Sequence, residues 1–304
     1  QMEAGLRNRN RLAMTLLVLV ALGGMAFIAF KIYSGRKAVV PHDVLMSMDA
    51  AVSLLRRDDS ASQQKALDQL QGVRSRYPQL LEVQADLVLA LALRLDDTRL
   101  SIKRIELESE ILGRRMVKVE DEKSSSDWPN RVNAMSEERQ ELRKLLVPLQ
   151  QRAADLEREL SQAFMALPRE PQELTPREET ALLRAQAVYY GVAGSDDAVA
   201  LSERYRSKGL NDGWDAIAYA EFALNARVPG DTLSQAYAGL DGVIAQDSSF
   251  LRAYVLSARV SLLQKRYDLA SNTLEATLAL NPAHELAPKL LSWVRQAERA
   301  ASGQ

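Results

Sequence analysis

The chain contains no cysteine, which excludes disulfides, thiolate metal sites and cysteine nucleophiles together. Histidine is almost as scarce. His42 and His284 are the two present, about 240 residues apart, and they give no basis for a histidine-built metal or catalytic centre. Neither sign of charge prevails, with 39 Lys and Arg against 40 Asp and Glu, so nothing pulls the chain as a whole toward nucleic acid. A Gly-rich phosphate loop is missing too, because the run from Gly191 to Gly194 lacks a preceding strand and a lysine. Serine, histidine and aspartate occur without a nucleophile elbow. The acidic pairs Asp58-Asp59, Asp96-Asp97 and Asp196-Asp197 fall at expected helix boundaries, where carboxylates cap N-termini and favour the helix dipole. These absences point to a non-enzyme with no cofactor and no metal.

What is present is helical. Five Phe, 14 Gly and 10 Pro in 304 residues, with no sustained Val/Ile/Thr runs and abundant Ala, Leu, Arg, Glu and Gln, argue for an all-α body. One segment differs from the rest. Residues 12–30 (LAMTLLVLVALGGMAFIAF) form a charge-free run opening at Leu12 and closing at Phe30. As a helix it spans roughly 28 Å, close to the hydrocarbon thickness of a bilayer. Arg7, Arg9 and Arg11 precede it, and Lys31, Arg36 and Lys37 follow. A buried core helix has no need of so abrupt a charge boundary, and a cleaved secretory signal has a shorter apolar run and a small-residue cleavage site. The pattern predicts a transmembrane helix over 12–33 that contacts the lipid bilayer, after a short tail over 1–11. The flanking Lys/Arg count is tied. A short Arg-bearing N-terminus on the cytoplasmic side would place the remainder in the periplasm of a bacterial inner membrane.

Beyond that segment a repeat emerges. Residues 251–284 carry Tyr254 and small Ala258 on a first helix, Tyr267 at a turn, Ala270, Leu274 and Leu278 on a second helix, and a closing Asn281-Pro282. Moving back 34 residues sets Ala236 on Ala270, Leu240 on Leu274, Ile244 on Leu278 and Asp247 on Asn281. The first helix of that copy matches one residue further back, Tyr219 on Tyr254 and Ala223 on Ala258, the extra residue falling in the turn around Pro229. A partial copy near the front has Ala66, Leu70, Val73 and Tyr77-Pro78 in place, with Leu54 where a small residue is expected. Small residues at these positions let two antiparallel helices approach closely while the leucines fill the seam. Leu286, Leu290, Leu291 and Val294 then recur at helical spacing, as in a helix that seals a stack. In these residues the chain resembles the tetratricopeptide-repeat family.

Heptads interrupt the repeats. Ile102, Ile105, Leu112, Met116 and Val119, with Ser109 as the polar exception, are followed after a polar turn by Val132, Met135, Leu142, Leu146, Leu149, Ala153, Leu156 and Leu160. Two such stripes predict an antiparallel coiled-coil hairpin; a parallel dimeric coiled coil is the competing use of the same stripes. Pro148 is expected to kink or split the second arm. Thr175, Pro176 and Glu178 spell a capping box with proline at the first helical position. The expected organisation is membrane-proximal repeat-like helices over 42–95, the hairpin over 96–167, a Pro-rich linker over 168–178 and C-terminal repeats with an end helix over 179–304.

The resemblance implies a groove lined by the first helices of successive repeats. By position it would include Ile217, Ala220, Leu224, Arg252, Val255 and Arg259. Ala220 and Leu224 stand where some relatives clamp a terminal carboxylate, so Arg252 and Arg259 become the anchors for an acidic residue. A neighbouring helix of the same chain covering this face is the alternative. Trp128, at the hairpin tip, either meets a partner or packs locally against Pro129. The expected function is a non-enzymatic, membrane-anchored adaptor or scaffold for protein partners in a cell-envelope complex. The alternative is an oligomeric spacer that self-associates through its coiled coil.

Overall fold

A computed structural model describes residues 40–121, 127–168, 173–226 and 228–302. The chain divides into two compact units, Gln1–Leu45 and Met46–Gln304. Of the first, residues 40–45 are described, and α1 (His42–Leu55) begins there. The second carries the rest of α1 and ten further helices among the described residues: α2 (Ser60–Arg76), α3 (Leu81–Asp121), α4 (Trp128–Met165), α5 (Pro176–Ala193), α6 (Asp197–Ser207), α7 (Trp214–Asn225), α8 (Gly230–Gln246), α9 (Leu251–Leu263), α10 (Tyr267–Leu280) and α11 (Ala287–Ser302). The described residues contain no strand, in keeping with the all-α composition.

From α5 onward each helix packs on the next, and α5 also packs on α7 and α7 on α9. The spacing of small residues explains this. Ala223, Ala236, Ala258 and Ala270 are buried, with Leu240 and Leu274 fully buried beside them. Gly191 marks the closest approach, since a Cβ there would sit 2.4 Å from the Ala218 carbonyl oxygen on α7. The last helices share one core in which Val255, Ala258, Leu274, Leu290 and Val294 pack together with Leu100, a residue of α3. Helix α5 starts as its sequence dictates. The Thr175 hydroxyl accepts from the Glu178 amide, the Glu178 carboxylate accepts from the Thr175 amide, Pro176 takes the first turn, and Gly194 closes the helix at φ 68°.

Helix α3 departs from expectation. It runs unbroken for 41 residues, so the boundary expected between residues 95 and 96 falls inside it. No Gly or Pro stands between Leu81 and Leu112 to end the helix, and the carboxylates of Asp96 and Asp97 find partners in mid-helix instead of capping an end. Pro148 likewise lies within one continuous helix, α4. It is exposed, so water can serve the carbonyl it leaves without a backbone donor.

Among the described residues no helix is long and apolar enough to cross a membrane. The expectation of a single-pass membrane protein with a bilayer anchor and a periplasmic domain is therefore corrected. Length is not what is lacking, since α3 is longer than a bilayer requires. Its most apolar stretch, however, contains Asp86 and is bounded by Glu82 and Arg94. Residues 12–30, which prompted the expectation, lie outside the described residues.

Candidate functional site

The six residues expected to line a groove face inward. Ile217, Ala220, Val255 and Arg252 are at most 1% exposed, Arg259 is 9% exposed, and Leu224 is half-buried. The cause is electrostatic as well as steric. Arg252 and Arg259 lie seven residues apart on α9 and so project from the same face, and α3 brings carboxylates to them. The Nη1 atom of Arg252 donates to Asp58 Oδ1 at 2.7 Å and to Asp97 Oδ1 at 2.5 Å. Its Nη2 donates to Asp96 Oδ2 at 2.8 Å, and Nε and Nη2 share Glu221 Oε1 at 3.1 and 2.5 Å. Arg259 donates to Asp96 Oδ2 at 2.6 Å, and Gln63 Nε2 holds the second oxygen of Asp97 at 2.6 Å. The acidic groups that these arginines hold thus come from the turn before α2, from α3 and from α7 of the same chain.

Asp58 adopts φ 56° to reach this position. Beside it lies His284, also buried, whose Nδ1 accepts the Ala287 amide at 3.2 Å as a cap on α11. That bond leaves the neutral-ring proton on Nε2, which lies 3.7 Å from Asp58 Oδ2. Four carboxylates therefore surround two guanidiniums, an excess of negative charge in a largely buried site, with Asp97 at its partly exposed edge. Burial pushes the Glu221 carboxyl up to about 7, with repulsion from Asp96 adding to it and Arg252 and Arg259 opposing. Burial pushes Asp97 up to about 6 despite Arg252, with Asp58 and Asp96 adding. Asp96 is buried as well, but Arg259 and Arg252 outweigh that cost and hold it well below the usual carboxylate range. Such a cluster is a lock between distant parts of the chain, in which Asp58 Oδ2, Glu221 Oε2 and His284 Nε2 stay without a hydrogen-bond partner.

A second, smaller network repeats the device. Arg184 on α5 donates to Asp86 on α3 at 2.6 Å, and Arg177 bridges Glu82 and Asp49 at 2.8 and 2.6 Å. The expected acidic caps accordingly divide in role. Asp59 caps α2 by accepting from the Ser62 amide, whereas Asp58, Asp96 and Asp97 are ion-pair partners. Asp196 holds the position before α6 without a side-chain capping bond.

The exposed feature is an arm made of the far part of α3 and the start of α4. Arg99 pairs with Glu157 at 2.8 Å, and the Arg139 Nε donates to buried Ser109 Oγ at 3.3 Å, so the two helices run in opposite directions. Gly113 leaves room for the Arg139 guanidinium, 3.3 Å from where a Cβ would stand. Helix α2 meets α3 at Asp97, and α5 ends beside Arg99, which donates to the Val192 carbonyl. Helices α3 and α4 pack on each other. Met116, Met135, Leu142 and Leu146 in their seam are only half-buried, while Val117 is 57% and Leu145 53% exposed. Trp128 stands half-buried at the first position of α4.

Compared with known proteins, the chain matches no family model, no curated protein and no solved structure. What it does must be read from its own geometry.

Sequence reasoning named Arg252 and Arg259 as anchors for an acidic residue of a partner, with cover by a neighbouring helix of the same chain as the alternative, and the acids found around them are the chain's own. It passed over Glu221 and assigned no role to His284. The available signal was the unbroken helical stretch through Asp96-Asp97: charges in the interior of a long apolar helix require buried counter-ions.

Proposed function

We propose that this chain is a non-enzymatic scaffold that binds another protein through the α3–α4 arm, on a body of tetratricopeptide-like helix pairs. The observation that carries this reading is the burial of Arg252 among carboxylates of the same chain, on the face expected to line a groove. With that face occupied by Asp96 and Asp97, the arm is where helices offer apolar surface without further cover. The repeat part of the reading is supported by the buried alanines and leucines that recur at the family's spacing, and the coiled-coil part by the Ser109–Arg139 and Arg99–Glu157 pairings across the arm. Its richest cluster of titratable groups is used in holding the fold together, which favours a binding role over a chemical one.

A two-helix seam that buries Leu112 and Val119 but leaves Met116, Met135, Leu142 and Leu146 half-buried also favours a second reading, an oligomeric spacer in which arms from two copies complete a bundle. One experiment separates them. Residues 106–142 are replaced by a short Gly/Ser turn, and the whole and trimmed chains are compared by sedimentation and by affinity capture from native extract. The scaffold reading expects a monomer in both cases and a distinct protein lost on trimming. A dimer that trimming converts to monomer, with no other protein lost, contradicts it and supports the spacer.

A further inference from the structure

A cleft of about 660 Å³ lies between α6, α7 and α8, away from both the charge cluster and the arm and on the side of the second helices of each pair. One wall is a strip of α8 in which Gln235, Ala238, Gly239, Gly242 and Gln246 share one exposed face. A Cβ at Gly242 would meet nothing within 4 Å, so internal packing does not require glycine there, although glycine is a poor helix former in a helix interior. At Gly239 a Cβ would touch only Ala216 at 3.4 Å. Small residues on a helix face let a second helix approach closely.

An independent observation comes from the opposite wall. Ser202 on α6 lines the cleft, is 1% exposed, and its hydroxyl has no hydrogen-bond partner. The hydroxyls of Thr98, Thr180, Ser234 and Thr277 return to the carbonyl four residues back, whereas those of Ser202 and Ser261 have no partner. Of these two, Ser202 lines the cleft, and a buried hydroxyl without a partner is costly. The charges at the rim are unequal. Arg206 is neutralised by Asp215 at 3.0 Å, and Tyr219 donates to Gln235 at 2.9 Å. That leaves Glu203 as an exposed carboxylate without an ion pair among the described residues, and the lining with a net charge of one negative from Glu203, Arg206 and Asp215.

We propose that this cleft docks an amphipathic helix of a partner protein, with a lysine or arginine over Glu203, its backbone against Gly239 and Gly242, and a polar atom on Ser202. The strip from Gln235 to Gln246 spans roughly 16 Å, about three helical turns. Such helix-in-groove recognition is read through anchors spaced along one face. The site is separate from the arm, so trimming the arm leaves it intact.

The test uses the full chain and a fluorescent 18-residue Lys/Leu/Ala helical peptide, with its Glu-for-Lys counterpart as control, read by anisotropy. The expected result is saturable binding of the basic peptide and at least tenfold weaker binding of the acidic one. Gly242→Leu and Glu203→Lys each weaken the basic peptide about tenfold or more, with unchanged circular dichroism. Gly242→Ala serves as a folding control, raising the melting temperature while keeping binding. Failure of the basic peptide to bind, binding indifferent to Gly242→Leu, or equal binding of the acidic peptide would each overturn the proposal. A dimer of the wild type that Gly242→Leu renders monomeric would also overturn it, assigning the cleft to a second copy. Loss of arm-dependent capture without loss of peptide binding bears on the arm alone.

Discussion

Replacing Arg252 by Met is the most informative perturbation of the fold. Methionine retains much of the apolar stem and removes the guanidinium from Asp58, Asp97 and Glu221, leaving Asp97 only Gln63 and Glu221 only Arg259 at 3.8 Å. Asp96 keeps Arg259, so not every acid is stranded. Breaking a buried ion pair by deleting one partner costs about 3–5 kcal/mol, and here three acids lose the same partner. The cost stays near that range because Glu221 and Asp97 can relieve it by protonating, being already pushed up to about 7 and about 6. The penalty is therefore expected to depend on pH, at about 4 kcal/mol near pH 8 and clearly less at pH 5.5. Against a total stability of about 5–15 kcal/mol, it lowers the melting temperature by roughly 10 °C at pH 8. Urea unfolding of both proteins at the two pH values measures it. A loss below about 1 kcal/mol, or one equal at both pH values, refutes the view that Arg252 neutralises these three acids.

Other consequences follow from the same geometry. Glu221 and Asp97 have folded pKa values above their ordinary values of 4.5 and 3.8, so the stability they contribute is present below those ordinary values and lost as pH rises through about 6 and about 7. Asp96, held down, has the opposite sign and loses its contribution only in strong acid. The urea midpoint should accordingly rise from pH 8 to pH 5.5 and flatten in Glu221→Gln; a midpoint that falls over that range contradicts the assignment. Gly191→Ala forces a Cβ onto the Ala218 carbonyl and should cost about 1–3 kcal/mol by thermal denaturation. Thr175→Ala removes the capping hydroxyl at α5 and should cost about 1 kcal/mol, with Thr175→Ser restoring most of it.

Much of the helical architecture was legible because it rests on local signals. Alternation of small and large residues at 34-residue spacing marks where α7 to α10 touch, and Ala236 and Ala270 are indeed fully packed. The capping box at Thr175 specified the start of α5 without reference to anything distant. What could not be read depends on three-dimensional neighbours. Arg252 on α9 and Asp96 on α3 stand 156 residues apart, and no periodicity links them. His284 looked isolated because its contacts are the Ala287 amide, a cap geometry rarely sought from histidine, and Asp58 from far upstream. Ser202 is ordinary in sequence, and its unsatisfied hydroxyl exists only as a property of packing. A boundary was expected at Asp96-Asp97 because acidic pairs usually end or begin helices. That rule assumes solvent around the helix end, and here the surroundings are arginines.

The central claim is that the face expected to line a groove is closed by the chain itself and that partners meet the arm. Photo-crosslinking side groups placed in turn at Val117 on the arm and at Leu224 on the expected groove face test it most directly. The account predicts capture of a distinct partner protein from Val117, and from Leu224 only crosslinks within the same chain. Partner capture from Leu224 with none from Val117 would contradict it, showing that the groove opens and that the arm is not the contact surface.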